Sequence, residues 1–93
     1  MINPARAHAI ITGRVQGVCF RVETCRAVEH LKVSGWVRNK RDGSVEAVFE
    51  GDAADVKAAL AWCWQGPPIS RVDDVRVDWQ AFTGEFTTFS VTY

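Results

Sequence analysis

The chain lacks an excess of charge of either sign. Its eleven Lys and Arg residues are balanced by eleven Asp and Glu residues, so the formal net charge at pH 7 is zero. Non-specific nucleic-acid binding and attachment to anionic membranes both depend on a strongly basic surface. The balance therefore argues against nucleic acid and against a membrane as partners, but it does not exclude a local anion site.

The sequence also has no long apolar run, and its cysteines do not form an obvious set of pairs. No stretch of about 18 consecutive apolar residues, the length that a membrane span requires, is present. The segment Met1–His8 has no apolar core of the kind found in secretory signals. Cys19, Cys25 and Cys63 are odd in number and form no C-x-x-C pair. Without an export signal, we expect reduced thiols and a cytoplasmic protein.

Proline is scarce, with three residues, while 47% of the chain is hydrophobic. This composition excludes a disordered chain. A length of 93 residues allows one hydrophobic core and no second one. We therefore expect a single folded domain over residues 1–93, acting as a monomer.

The spacing of apolar residues predicts strands and helices in alternation. Strands are predicted at about 7–13, 34–39, 44–50, 72–79 and 86–92, and helices at about 21–32 and 53–65. The order is βαββαβ with an additional C-terminal strand. That order is typical of a ferredoxin-like α/β sandwich of the α+β class, with two helices on one face of a mostly antiparallel sheet.

Turn and capping residues mark several boundaries. Asp42-Gly43 predicts a hairpin with a type I′ turn, in which both central residues need positive φ. Asp52 is the predicted N-cap of the second helix. Gly66, followed by two prolines, predicts the end of that helix.

The segment Gly13–Arg21 (GRVQGVCFR) carries the most concentrated chemical signal. It predicts a loop that leads directly into a helix, whose free N–H groups favour a bound anion. Backbone N–H groups in such a loop can form an anion-binding nest. Arg21 adds a guanidinium that can hold a phosphate through two parallel hydrogen bonds.

Three familiar phosphate sites do not fit this segment. A nucleotide-binding loop needs lysine after its second glycine, where this chain has Val18 and Cys19. The G-x-G-x-x-G spacing of a dinucleotide site is absent. A thiol phosphatase needs arginine six positions after its cysteine, and Cys25 stands there.

Three residues each have two interpretations when only the residue types and their spacing are considered. Asn39 either ends a strand at the hairpin or positions a water molecule through its carboxamide. Arg21 is either a solvated cation or the partner of an anion, since a helix start disfavours positive charge. Cys19 is either a small packed residue or a reactive thiol. His8 and His30 lack companions at metal-ligand spacing, so no metal site is predicted.

Two segments resemble the signatures of the acylphosphatase family. The first is Gly13–Arg21; the second is Gly35–Asn39 followed by Asp42–Glu46. The similarity extends over essentially the whole chain. It implies an enzyme that hydrolyses acyl phosphates to a carboxylate and inorganic phosphate, without metal or cofactor. The alternative is a non-catalytic module of the same fold that binds an acyl or carbamoyl phosphate.

The resemblance also implies residue roles. Arg21 would bind the phosphoryl group, and Asn39 would orient the attacking water. The backbone N–H groups of the loop would complete the phosphate cradle. That loop comprises Val15, Gln16, Gly17, Val18, Cys19 and Phe20.

Overall fold

A computed structural model describes residues 3–93 as five strands and two helices. They are β1 (Pro4–Arg14), α1 (Phe20–Val28), β2 (Val33–Asn39), β3 (Val45–Asp52), α2 (Ala53–Gln65), β4 (Arg71–Gln80) and β5 (Phe89–Val91). The sheet order is β4-β1-β3-β2-β5, antiparallel except for the parallel pair β2–β5. The ferredoxin-like prediction is confirmed. Met1 and Ile2, where the predicted domain begins, lie outside the described residues.

The core lies between the sheet and the two helices. Alternate residues of the central strands point into it and are fully buried: Ala7, Ala9 and Ile11 on β1, and Val45, Ala47 and Phe49 on β3. The predicted apolar stripe of α2 covers them with Val56, Ala59, Leu60 and Cys63. Each large apolar side chain buried this way contributes about 1.5–3 kcal/mol. Neither helix within residues 3–93 combines the length and apolar character needed to cross a bilayer.

A buried carboxylate ties the outer face of the sheet to the segment after β4. Glu50 is fully buried and accepts hydrogen bonds from the backbone N–H groups of Thr83 (2.9 Å) and Gly84 (3.1 Å). Arg6 Nη1 also donates to it at 3.0 Å. These bonds hold residues 83–84 over β3. The chain reaches the edge of β2 only at Thr88, whose carbonyl accepts from the Gly35 N–H at 3.0 Å, and β5 begins at Phe89. The prediction of a strand from residue 86 was therefore wrong at its start.

Two predictions about helix ends also need correction. Helix α1 ends at Val28 rather than Lys32, because the chain tightens into a turn in which the Leu31 N–H donates to the Val28 carbonyl at 2.9 Å. Asp52 occupies the N-cap position but makes no side-chain capping bond. The N–H of Ala53, the first residue of the helix, donates to the Asn3 carbonyl at 2.8 Å.

The hairpin between β2 and β3 is not a type I′ turn. Gly43 has φ 94°, but Asp42 is not in the positive-φ region. The Asp42 carboxylate accepts from both the N–H (2.9 Å) and the hydroxyl (2.6 Å) of Ser44. This side-chain turn fixes the hairpin without a second left-handed residue. The hairpin itself is confirmed.

Candidate active site

The loop between β1 and α1 is fixed by side chains that point into the core. Val15, Val18 and Phe20 are each at most 2% exposed. The Phe20 ring packs against Trp62, with the ring centroids 5.4 Å apart. The buried hydroxyl of Thr24 donates to the Phe20 carbonyl at 2.7 Å. Because these side chains are buried, only their backbone groups are available to a ligand.

The loop backbone adopts a left-handed conformation at two positions. Gly17 has φ 73° and Cys19 has φ 62°. Cys19 is the only non-glycine residue with positive φ among residues 3–93. Alternation of such residues with right-handed ones is the backbone arrangement that forms anion-binding concavities. The strain at Cys19 costs on the order of 1 kcal/mol.

Backbone N–H groups of the loop have no internal partners among residues 3–93. Within the described part of the chain, the N–H groups of residues 16–19 donate to no carbonyl. The first helical bond runs from the Glu23 N–H to the Cys19 carbonyl at 3.0 Å, and no side chain caps the helix. Free N–H groups at this end of a helix carry partial positive charge. The loop therefore favours an anion.

One cleft brings Arg21 and Asn39 together. Arg21 is the second residue of α1 and Asn39 the last of β2, and both line a space of about 360 Å³. Neither side chain forms a hydrogen bond with another residue of the described range 3–93. The remaining lining residues are Val15, Gly17, Cys19, Phe20 and Val22. Of the predicted loop residues, Gln16 and Val18 do not line this cleft.

Two features of the site were missed by the sequence analysis. Val22 is 49% exposed and lines the cleft beside Arg21. Gln16 reaches away from the cleft, and its Nε2 donates to the carbonyl oxygens of Lys40 (2.6 Å) and Ser44 (2.9 Å). The only signal for Gln16 was its place inside the loop, which does not indicate where a side chain points.

The three thiols differ in accessibility. Cys19 is exposed at the cleft, whereas Cys63 is buried and Cys25 partly so. Burial raises the pKa of the Cys63 thiol to about 12. Burial, together with the charge of Glu29, also raises the pKa of Cys25. Across residues 3–93, no three His, Cys, Asp or Glu side chains converge as metal ligands would.

Comparison with known proteins identifies the family. The family model described as Acylphosphatase matches residues 7–91, which is nearly the whole chain. The chain belongs to the acylphosphatase family. An acylphosphatase from Pelotomaculum thermopropionicum is 52% identical over 92 residues, covering 99% of this chain and all of the relative. The expectation of an enzyme of the acylphosphatase family is confirmed.

Solved acylphosphatase structures share the fold. A structure of an acylphosphatase from Coxiella burnetii matches with a TM-score of 0.91 at 32% identity, covering 98% of this chain and 95% of that one. A crystal structure of T. kodakarensis HypF also matches, with a TM-score of 0.82 at 27% identity. There the match covers 96% of this chain but only 12% of that one. The same architecture thus occurs both as a small protein and as a part of a longer one.

Proposed function

We propose that this acylphosphatase-family chain cleaves acyl phosphates to a carboxylate and inorganic phosphate. The observation that carries the proposal is the shared cleft. Arg21 and Asn39 come from different elements, line the same space, and have no side-chain hydrogen-bond partner within residues 3–93. A cation and a carboxamide left free beside unpaired backbone donors fit a phosphoryl group and a water molecule.

The phosphoryl group binds where the cleft is lined by Arg21 and by the loop at the start of α1. Arg21 donates to its oxygens, and the N–H groups of residues 15–20 complete the cradle. A cation at a helix start is disfavoured by the helix dipole. A dianion held between Arg21 and the free N–H groups removes that repulsion, which supports binding at this place.

Asn39 orients the attacking water. The carboxamide oxygen accepts a hydrogen bond from the water, whose oxygen forms a bond to phosphorus. The bond from phosphorus to the acyl oxygen breaks, and its electron pair leaves with the carboxylate. The proton of the water passes to the phosphate product or to solvent.

This chemistry needs few catalytic groups. Phosphoryl transfer passes through a loose transition state in most analyses, so positioning and charge stabilisation dominate. The leaving group is a carboxylate, whose acid has a pKa of roughly 4 to 5, as side-chain carboxyls do. It departs without a general acid. We therefore propose a reaction without metal or cofactor, carried by Arg21, Asn39 and the loop backbone.

The test is release of phosphate from benzoyl phosphate by the purified protein in the presence of a chelator. We expect turnover by the wild type, and a loss of about 100-fold or more in Arg21→Gln and Asn39→Ala, the scale seen when one oxyanion donor is removed. Arg26→Gln is the matched control, because Arg26 is exposed on the same helix and, within residues 3–93, pairs only with Glu23. Full activity in both cleft variants would refute the residue assignment.

A non-catalytic phosphate-binding module is the second candidate. The match to a part of T. kodakarensis HypF favours it, because there the architecture belongs to a much longer chain. Calorimetric titration with inorganic phosphate separates the two functions. Binding that depends on Arg21, combined with no release of phosphate from any acyl phosphate, would support the module.

We also propose a monomer in the cytoplasm. All three cysteines, Cys19, Cys25 and Cys63, are free thiols. A reducing compartment maintains that state. Light scattering on the eluting protein measures the mass directly, and fractionation of the native cells tests the location.

A further inference from the structure

The side chain of Gln16 connects the phosphate loop to the β2–β3 hairpin. Gln16 follows β1 by two residues, yet its amide nitrogen lies 2.6 Å from the Lys40 carbonyl oxygen and 2.9 Å from that of Ser44. These partners are 24 and 28 residues away in sequence. Within residues 3–93, no other side-chain hydrogen bond joins residues 15–20 to the hairpin.

The two carbonyls are those that close the hairpin. The Lys40 N–H donates to Ser44 at 2.9 Å, and the Gly43 N–H donates to Lys40 at 3.3 Å. Each carbonyl oxygen therefore accepts one bond from inside the hairpin and one from Gln16. A carboxamide has two N–H hydrogens, and both are used here. Gln16 thus holds the end of the hairpin closed and fixes it against the loop.

This connection bears on Asn39 because Asn39 immediately precedes Lys40. It is the last residue of β2, and its carboxamide lines the cleft with Arg21. The loop holds the phosphoryl group, and the hairpin end holds the water. Their relative position sets the distance over which the water must attack, and a displacement of about 1 Å can cost roughly 100-fold in rate.

We infer that the Gln16 carboxamide is a positioning residue, which fixes the Asn39 end of the hairpin against the phosphate loop. The inference rests on the proposed function. Gln16 acts through Asn39 and does not touch the substrate with its side chain. Its removal therefore affects the chemical step and leaves phosphate binding by Arg21 and the loop backbone largely intact.

A double-mutant cycle between Gln16→Met and Asn39→Ala tests the inference. Methionine has similar length and no donor. We expect kcat to fall about tenfold or more in Gln16→Met, while the inhibition constant for inorganic phosphate changes less than about threefold. In the Asn39→Ala background we expect Gln16→Met to have little further effect, because coupled residues are not additive. Gln65→Met, at an exposed position ending α2, is the matched control.

A purely structural role gives a different pattern. It would lower kcat equally in both backgrounds, or weaken phosphate binding together with turnover, and either result overturns the inference. Wild-type kcat in Gln16→Met overturns it as well. Should Gln16→Met fail to fold by circular dichroism, Gln16→Glu takes its place, since it keeps the shape and replaces the donor with an acceptor.

The Asn39→Ala variant separates the role of Gln16 from the proposed function. If Asn39→Ala loses turnover and Gln16→Met does not, only the role of Gln16 is refuted. If Asn39→Ala retains full turnover, the water-positioning step fails, and the role of Gln16 fails with it.

Discussion

The guanidinium of Arg21 lies over the ring of Tyr93, with Cζ 5.2 Å from the ring centroid. Tyr93 is 90% exposed, so solvent weakens the contact. The backbone beside it is fixed, because the Thr92 N–H donates to the Val37 carbonyl at 2.8 Å. A cation over an exposed aromatic ring is worth about 0.5–1 kcal/mol. The ring therefore restrains an arginine that has no acidic partner within 4 Å in the described range.

Removal of this ring should weaken substrate binding. We expect Tyr93→Ala to raise KM for benzoyl phosphate about two- to fivefold, which corresponds to the loss of about 0.5–1 kcal/mol. Tyr93→Phe retains the ring and should keep the wild-type KM. Steady-state kinetics measure both, and equal KM values in the alanine variant and the wild type would refute the restraint.

Glu50 and Glu85 both bind the Arg6 guanidinium but differ in burial, so their substitutions compare a buried ion pair with an exposed one. Both carboxylates lie 3.0 Å from Arg6 Nη1, but the Glu50 side chain is fully buried and that of Glu85 is 52% exposed. Breaking a buried pair by removing one partner costs about 3–5 kcal/mol, whereas an exposed pair contributes about 0–1 kcal/mol. We expect Glu50→Ala to lower the free energy of unfolding in urea by at least about 3 kcal/mol and Glu85→Ala by less than 1. Similar losses in the two variants would contradict this.

Acid should destabilise the fold through two glutamates. Burial raises the pKa of Glu50, but hydrogen bonds from Thr83, Arg6 and Gly84 outweigh it and lower the pKa overall. Burial likewise raises the pKa of Glu46, while bonds from His8 and Arg38 bring it below its usual range.

A lowered pKa in the folded state means that the unfolded state binds more protons, so stability falls as pH falls. We expect the free energy of unfolding to decline as pH drops below the ordinary glutamate value of 4.5, and to continue declining through the lower folded values. Glu50→Gln removes one titrating group. Its curve should fall less steeply than that of the wild type, and identical slopes would contradict the role of Glu50.

Because the backbone at Cys19 is left-handed, the free energy of unfolding should depend on the side chain at this position. Glycine adopts φ 62° without the penalty that other residues incur, whereas a β-branched side chain is a severe outlier. We expect Cys19→Gly to raise the free energy of unfolding by up to about 1 kcal/mol, the strain released less the added freedom of the unfolded chain. Cys19→Val should lower it. Urea denaturation measures the difference, and greater stability of the valine variant would contradict the assignment.

Much of the fold followed from periodicity in the sequence. The limits of α2 at residues 53 and 65 were predicted correctly, because an apolar stripe ends at Gly66 and two prolines. The start of β5 was not, because it is set by where the chain reaches β2 after Glu50 holds residues 83–84, with the Gly35 N–H donating first to the Thr88 carbonyl. Long-range hydrogen bonds of this kind leave no local pattern.

In the candidate site, too, the sequence predicted individual residues but not the contacts between distant ones. The sequence marked Arg21 and Asn39 as candidates and the resemblance implied their roles, and the structure shows that both line one cleft. The bond from Gln16 to the hairpin and the ring of Tyr93 over Arg21 were not foreseen. Both join residues far apart in the chain, so they depend on the order β1-β3-β2-β5 of the folded sheet and on the position of α1 beside it.

We expect the water oriented by Asn39 to attack phosphorus rather than the acyl carbon. Hydrolysis of benzoyl phosphate in water labelled with the heavy oxygen isotope tests it directly, with mass spectrometry of both products after a single turnover. Attack on phosphorus puts the label in inorganic phosphate and leaves benzoate unlabelled, which is the result we expect. Label in benzoate would show cleavage at the acyl carbon and would contradict the mechanism.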